Sequence, residues 1–585
     1  LLTDAWEMQL ESAIRSRGPN HFEKSVHQEG KNVLTFMASV LNLRSCSLIK
    51  QPVTDREGNV LLFNGEIYKG PGFGIKTSDT LYLSEAFRGL DEQGIIYLLD
   101  QVEGPWSFIY WSSGKIYYGR DKLGRRSLVR SHDHKMISSV CANTAMDHWE
   151  EVPAGNGIFV LDLNSMFTQF VQWPAVSKIE SVPKCEIVHS LACFCSALEE
   201  AVRIRVESQF GADIGILFSG GLDCTVLAAL AHKYVPSGSA IDLLNASFER
   251  NSPDRLTAIS SWQELKREFP SRVWNLVCID KTIDDIDDVE KRIFQLIYPK
   301  TSHMDFNIGT ALWFASGGNG YLYKEPNYIP EAHDSDLWEK LLGNIRDPPV
   351  EVATNKTKKN CELDSMKNCG KVSKAKCAFS SCGFCCKHHQ LNKGVTCKVH
   401  KLKRKSQVLD EEKPLELKEE VLVFDAFHST ASVLISGLGA DEYLGGYGRH
   451  RVSFNRGGWP ALLDEIEIDK NRIWERNLGR DDRCISDSGK EVRHPFLDEN
   501  FIKTLESIPI QHVVDPSLDR GIGEKRILRL LCYQLGLRRT CAFDKRAIQF
   551  GTRVAQISNR RAFGSNSAFN GCTSYELVSK KDSTS

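Results

Sequence analysis

The stretch Ile214-Gly215-Ile216-Leu217-Phe218 runs without a charged or polar side chain into Ser219-Gly220-Gly221-Leu222-Asp223, and then into apolar residues at helical spacing, Val226, Leu227 and Leu230. A short apolar run without alternation reads as a strand buried on both faces, the kind found in parallel sheets covered by helices. The loop at the carboxyl end of such a strand is where these sheets bind ligands. Gly220 and Gly221 let the backbone approach an anion closely, Ser219 adds a hydroxyl, and the helix N-terminus points free N–H groups at the same place. Asp223 suits a hard cation such as Mg²⁺ held against bound phosphate. The loop lacks the Gly-Lys-Ser/Thr ending of a P-loop. The bland alternative, a Gly-rich turn before a helix, is weakened by the strand context and by Asp223.

A second cluster repeats the pattern. Ser432-Val433-Leu434-Ile435 leads into Ser436-Gly437-Leu438-Gly439-Ala440-Asp441-Glu442, followed by Tyr443-Leu444-Gly445-Gly446-Tyr447. Two glycine-bearing strand ends, each with a carboxylate, fit one nucleotide held between them, with Mg²⁺ shared by Asp223 and Asp441. Farther on, Lys525 on a helix would neutralise a leaving pyrophosphate. Apolar spacing in His189–Ser208 predicts a helix, and Ile241–Ala246 a further buried strand. This alternation predicts a doubly wound parallel sheet over residues 186–560.

Residues 1–180 have a different texture. Val33–Phe36, Val60–Phe63, Trp106–Trp111 and Gly157–Leu161 are short apolar runs, and Ser112-Ser113-Gly114-Lys115 is a hairpin-length turn, so this part reads as antiparallel and β-rich with a few helices.

With 585 residues, two or three domains are expected, and 74 Lys/Arg against 75 Asp/Glu exclude a globally basic nucleic-acid binder. No apolar run approaches the roughly 20 residues that cross a bilayer, and no secretory leader is visible. Of the 18 cysteines, seven (Cys361, Cys369, Cys377, Cys382, Cys385, Cys386, Cys397) fall in one short stretch, and the rest are scattered among apolar segments. That distribution predicts a reducing, cytoplasmic compartment. Residues 325–425 read as an insertion: 355–405 holds Lys or Arg at 14 positions against Glu362 and Asp364, a local charge of about +12. Within it Cys377, Cys382, Cys385, Cys397 and His400 have spacings that suit tetrahedral Zn²⁺, against the plainer reading of a loop of reduced thiols. Its basic run would contact RNA or an acidic partner, although a solvated linker is the commoner meaning of such charge. No DNA or membrane partner is expected. Residues 561–585, rich in Ser and Asn, read as a disordered tail.

Taken in order, the two glycine loops, Arg493-His494-Pro495-Phe496-Leu497-Asp498 and Gly523-Glu524-Lys525 resemble the synthetase domain of the asparagine synthetase family, an N-type ATP pyrophosphatase domain. The N-terminal motifs Arg17-Gly18-Pro19-Asn20, Arg44, Gln51-Pro52, Asn64-Gly65-Glu66, Ser78-Asp79-Thr80 and Gly119-Arg120-Asp121 resemble class II glutamine amidotransferases. The resemblance implies an Ntn-hydrolase-like αββα sandwich followed by the doubly wound domain. It implies glutamine held by Arg44 at its α-carboxylate, by Asp79 with help from Glu66 at its ammonium, and by Asn64, with Asn64 and Gly65 as the oxyanion hole. It implies ATP at Leu217, Ser219, Gly220, Gly221, Asp223, Ser247, Ser436 and Gly437. The reaction implied is aspartate, glutamine and ATP to asparagine, glutamate, AMP and pyrophosphate.

Two features depart from the family pattern. The amidotransferase nucleophile is an N-terminal cysteine, whereas residue 1 here is Leu and Arg17 falls about a dozen residues early, so the sequence reads as a truncated record. Cys46 has no free amine and is no substitute. The family's second loop carries a glutamate, placed to take a proton from ammonia, where this chain has Leu438. The alternatives are therefore a degenerate member that binds nucleotide or a partner, or one that adenylates a different acid.

Overall fold

The computed structural model describes residues 4–44, 47–74, 77–133, 135–141, 149–174, 186–209, 211–324, 341, 425–563 and 573–575. The insertion's Cys377, Cys382, Cys385, Cys397 and His400, and also Cys46, lie outside the described residues.

In the N-terminal half, strands β1 (His21–Glu29) and β2 (Asn32–Val40) pair as a long hairpin. Six antiparallel strands form a second sheet: β3 (Val53–Thr54), β4 (Val60–Gly65), β5 (Trp106–Ser112) and β6 (Lys115–Arg120), and farther along the chain β10 (Gly157–Asp162) and β11 (Phe167–Gln172), in the order β11-β10-β6-β5-β4-β3. Between them, β7 (Val129–Ser131), β8 (Ile137–Ser138) and β9 (Trp149–Glu151) make a small three-stranded sheet. Alternation along β4 and β5 sorts the side chains. Leu61, Phe63, Phe108 and Tyr110 face helices Asp79–Phe87 and Glu92–Asp100. Ile109 and Trp111 face Leu34 and Phe36 of the hairpin. Helix Asp4–Arg15 lies against the hairpin, with Ser39 donating to the Ile14 carbonyl at 2.5 Å. The layers thus run helix, sheet, hairpin, helix.

The C-terminal half is built on one seven-stranded sheet. Its strands are β12 (Ile214–Leu217), β13 (Ala240–Ser247), β14 (Val273–Asp280), β15 (Asn319–Leu322), β16 (Ala426–His428), β17 (Val433–Ile435) and β18 (Glu491–Arg493), in the order β16-β15-β14-β13-β12-β17-β18. The five from β14 to β18 in that order are parallel. The two at the other edge, β15 and β16, are antiparallel, which corrects the expectation of a wholly parallel sheet. Helices cover both faces: Ile187–Glu207, Leu222–Ala231 and Pro253–Glu268 on one, Ile283–Ile297 and His303–Gly317 on the other. Each fully buried Leu or Ile here contributes roughly 1.5–3 kcal/mol.

The region read as a disordered tail is ordered in part. Arg561 ends a helix, Val554–Phe563, and bonds Glu290 at 2.9 Å. Tyr575 is buried, its ring stacked on Phe306 with centroids 3.9 Å apart. Among the described residues no helix is long and apolar enough to cross a membrane. The eight described cysteines are unbridged, and six of them are buried.

Candidate functional site

Strands β12 and β17 are neighbours in register, Ile216 opposite Ile435, so the loops 219–223 and 436–441 leave the sheet side by side. The chain builds β13 and β14 to one side of β12 and β17 and β18 to the other. This is the topological switch point, where flanking loops splay apart and open a crevice. Glycines allow the closest approaches. A Cβ on Gly437 would lie 2.9 Å from the Asp223 Cβ, and one on Gly220 would lie 2.3 Å from the Ala258 backbone nitrogen.

Asp223 and Asp441 meet on one cation. Lys525 Nζ lies 2.5 Å from Asp223 Oδ2 and 2.8 Å from Asp441 Oδ1, and Lys545 approaches Asp441 Oδ2 at 3.4 Å. Lys525, expected on a helix, instead precedes helix Arg526–Gln534 with left-handed backbone (φ 53°, ψ 37°). Burial raises the carboxyl of Asp223, only partly opposed by Lys525. Burial also acts on Asp441, but Lys525 and Lys545 overcome it and hold that carboxyl at about 2. Asp223 Oδ1 is buried without a hydrogen-bond partner, an acceptor left for a further cation.

The loops open into a cavity of about 470 Å³ lined by Leu217, Ser219, Gly221, Asp223, Ser436, Gly437 and Asp441 of the expected set. Two expected residues serve the scaffold instead. The Gly220 carbonyl accepts from Ser261 at 2.6 Å, and Ser247 Oγ donates to the Glu249 carbonyl at 2.6 Å and bonds Ser252 Oγ at 2.7 Å. Neither lines the cavity. Residues the sequence reading did not select include Asp254, Asn477, Asp481, Lys545 and Arg546. Burial lifts the Asp254 carboxyl to about 7 against the charge of Arg546. Asn477 sits on a π-helical turn, Trp474–Leu478, which has no local sequence signal; such turns recur at functional sites. Asp254 has a readable signal, the Ser252-Pro253-Asp254 start of helix Pro253–Glu268.

Glu442, next to Asp441, also faces this cavity. Its Oε1 accepts from Tyr447 at 2.6 Å and from Asn477 at 3.2 Å, its Oε2 has no partner, and burial raises its carboxyl. Leu438, where the family places a glutamate, lines the same cavity and is partly buried against the apolar core.

The N-terminal motifs converge on a second cavity, of about 390 Å³, lined by Arg44, Gln51, Asn64, Gly65, Glu66 and Asp79, among others. Gln51 is locked by exchanging hydrogen bonds with the Phe63 backbone at 2.8 and 2.9 Å. A Cβ on Gly65 would lie 2.2 Å from the Pro105 carbonyl oxygen. Arg44 and Asp79, expected to hold opposite ends of an amino acid, pair with each other at 3.0 Å. Burial raises the Asp79 carboxyl to about 6 against the pull of Arg44. Glu66, expected beside Asp79 at the ammonium, is buried and held by Arg493 of the other half.

That last bond belongs to a charged seam between the halves. Asp482 pairs with Arg17 at 2.8 Å and Arg126 at 3.3 Å, while Glu151 pairs with Arg120 at 3.2 Å and Arg483 at 2.8 Å. Arg125 bridges Asp121 and Glu499. Buried arginines of this kind need multiple partners, since removing one strands an uncompensated charge.

The asparagine synthase family model matches residues 194–271, the segment that holds the first glycine loop and both flanking strands. Over 94% of this chain and 94% of its own length, the asparagine synthetase domain-containing protein 1 of Mus musculus is 28% identical. The resemblance to the asparagine synthetase family stands. Asparagine synthetase B (glutamine-hydrolysing) of Escherichia coli is 26% identical over 40% of this chain and 43% of its own. Among solved structures, the allosteric regulatory enzyme of purine biosynthesis matches with a TM-score of 0.24 and 11% identity, over 48% of this chain and 77% of that one, a likeness too slight to bear on the fold.

Proposed function

We propose that this asparagine-synthetase-like chain is an ATP-dependent, glutamine-hydrolysing amidotransferase that turns aspartate, glutamine and ATP into asparagine, glutamate, AMP and pyrophosphate. One observation carries the proposal. Asp223 and Asp441, 218 positions apart in the sequence, share Lys525 at the ends of adjacent parallel strands.

The residues fit a magnesium nucleotide. Two carboxylates within reach of one point, one with an unbonded buried oxygen, are hard ligands for Mg²⁺. Bound there, the ion would neutralise phosphate charge. Ser219 and Ser436 offer hydroxyls, and the backbone N–H groups of both loops offer donors for phosphate oxygens. Lys525 would follow the negative charge as pyrophosphate departs, and Lys545 and Arg546 supply further positive charge at the same wall. The N-terminal half, with its helix, sheet, hairpin, helix order, is read as the Ntn-hydrolase-like glutaminase. Arg44 would take the glutamine carboxylate and Asp79 its ammonium. Asn64 and Gly65 would stabilise the oxyanion. The unbridged cysteines fit a cytoplasmic site of action.

Leu438 favours a second reading. A leucine on the cavity wall accepts no proton, and the second reading is a chain that binds nucleotide or a partner without forming asparagine, or one that adenylates another acid. Full-length protein is incubated with aspartate, glutamine or ammonium, and MgATP, while asparagine and pyrophosphate are followed separately. Both products support the proposal, pyrophosphate alone indicates another acceptor, and neither product indicates a non-catalytic binder.

A further inference from the structure

Arg493 touches both candidate sites at once. It ends β18, where its carbonyl accepts from the Ser436 backbone N–H at 3.0 Å, fixing the first residue of the second glycine loop. Its side chain reaches the other way, and Nη2 pairs with Glu66 on the wall of the N-terminal cavity. Nε holds Glu491 at 2.9 Å and Nη1 holds Ser208 Oγ at 3.2 Å. The guanidinium is wholly buried.

Glu66 is in turn close to the pair expected to bind glutamine. Arg44 Nε lies 4.0 Å from Glu66 Oε1, and Arg44 Nη1 lies 3.0 Å from Asp79 Oδ1. Glu491 sits between Arg493 and Arg126, the latter at 2.9 Å. Carboxylates and guanidiniums therefore alternate from Asp79 through Arg44, Glu66 and Arg493 to the backbone of Ser436. In such an array the position of each charge depends on its neighbours, because low-dielectric surroundings screen them poorly.

We propose that Arg493 is a positioning residue that couples the two cavities, so that an amino acid in the Arg44–Asp79 cavity alters how the Ser436–Asp441 loop receives MgATP. An α-amino acid brings both a carboxylate and an ammonium, and each competes for one member of the Arg44–Asp79 pair. Separating that pair changes the field at Glu66. Arg493 is the residue whose guanidinium bonds Glu66 and whose backbone carbonyl bonds the Ser436 N–H. A merely structural bolt would hold the halves together without transmitting ligand state. The inference rests on the reading of both cavities given above.

The test is linkage. Binding of MgATP to the wild-type chain is titrated with and without saturating L-glutamine, and binding of glutamine with and without MgATP. The expected result is a change in MgATP affinity of roughly 5-fold or more, within the usual range for coupled sites, mirrored by the same factor for glutamine. R493K keeps the charge but loses the fork geometry. It should bind each ligand alone with near wild-type affinity and abolish the mutual effect. E491Q, titrated alongside wild type at pH 8 where Glu491 has released its proton, is the companion if R493K does not fold, and should reduce the mutual effect by more than half. Full coupling in R493K, or in E491Q where that variant stands in, overturns the proposal, as does wild-type protein that binds both ligands independently. Wild-type protein that fails to bind MgATP overturns the nucleotide-site reading itself, and failure to bind glutamine overturns the reading of the N-terminal cavity; either result removes the coupling proposal with it.

Discussion

Lys525 Nζ and Asp441 Oδ1 are 2.8 Å apart, and the same ammonium reaches Asp223 at 2.5 Å, so one lysine neutralises two carboxylates drawn from different strand ends. The proposed Mg²⁺ would draw on the same two carboxylates.

Replacing that lysine should therefore expose a metal site. K525M leaves Asp223 and Asp441 facing each other without their main counter-ion, a loss of about 3–5 kcal/mol for a broken buried pair. Differential scanning fluorimetry should show melting lowered by several degrees and raised again by millimolar Mg²⁺ without nucleotide. A variant whose melting ignores Mg²⁺ argues against these two carboxylates as the metal ligands.

The pair also depends on a missing side chain. A Cβ at Gly446 would lie 2.1 Å from Asp441 Oδ1 and 2.3 Å from Lys525 Cε. G446A should weaken MgATP binding by about tenfold or more, equivalent to ~1.4 kcal/mol. Its far-UV circular dichroism should stay unchanged. Calorimetric titration of MgATP into both proteins measures this, and wild-type affinity in G446A would show that the close packing is irrelevant to the site.

Glu491 makes stability fall with rising pH. Burial first, then the charge of Glu66, raise its carboxyl to about 7 against Arg126 and Arg493. Folded protein thus keeps a proton that the unfolded chain releases near its ordinary value of 4.5. Its contribution is complete below that value and is lost as pH climbs through about 7. Asp79 acts in the same direction with a value of about 6. Urea unfolding at pH 5 and pH 7.5 should show a wild-type decline that E491Q reduces by on the order of 1–2 kcal/mol. An identical decline in E491Q would remove this residue as its source.

The seam between the halves should fail at Asp482. Burial opposes its charge, but Arg17 and Arg126 hold the carboxyl at about 2. D482A strands both guanidiniums and the Ser127 N–H, which it accepts at 3.0 Å, for a cost of about 3–5 kcal/mol. Calorimetry should show one transition for the wild type and two for D482A, with the N-terminal half melting first. A single transition at the wild-type temperature contradicts this account of the seam.

Much of the proposed nucleotide site is legible in the sequence because its signals are local. A buried-strand pattern, a pair of glycines and a carboxylate within ten residues, as at 214–223 and again at 433–441, specify strand, turn and ligand chemistry without reference to the rest of the chain. Ser247 shows the limit of such local signals: the sequence places it at the end of a strand, and only the folded chain shows its hydroxyl bonded to Glu249 and Ser252. The antiparallel edge strands Asn319–Leu322 and Ala426–His428 are three or four residues long, too short for their apolar pattern to declare direction.

The sequence by itself determined which residue types stand at each strand end, the order of the motifs and the division into a β-rich half and a doubly wound half, because hydrophobic period and turn chemistry act over a few neighbours. Only the tertiary structure decided that Asp223 and Asp441 share Lys525, that Arg44 closes on Asp79, and that Glu66 answers to Arg493. Those pairings join residues tens to hundreds of positions apart, and their strength comes from burial, which no local stretch of sequence contains.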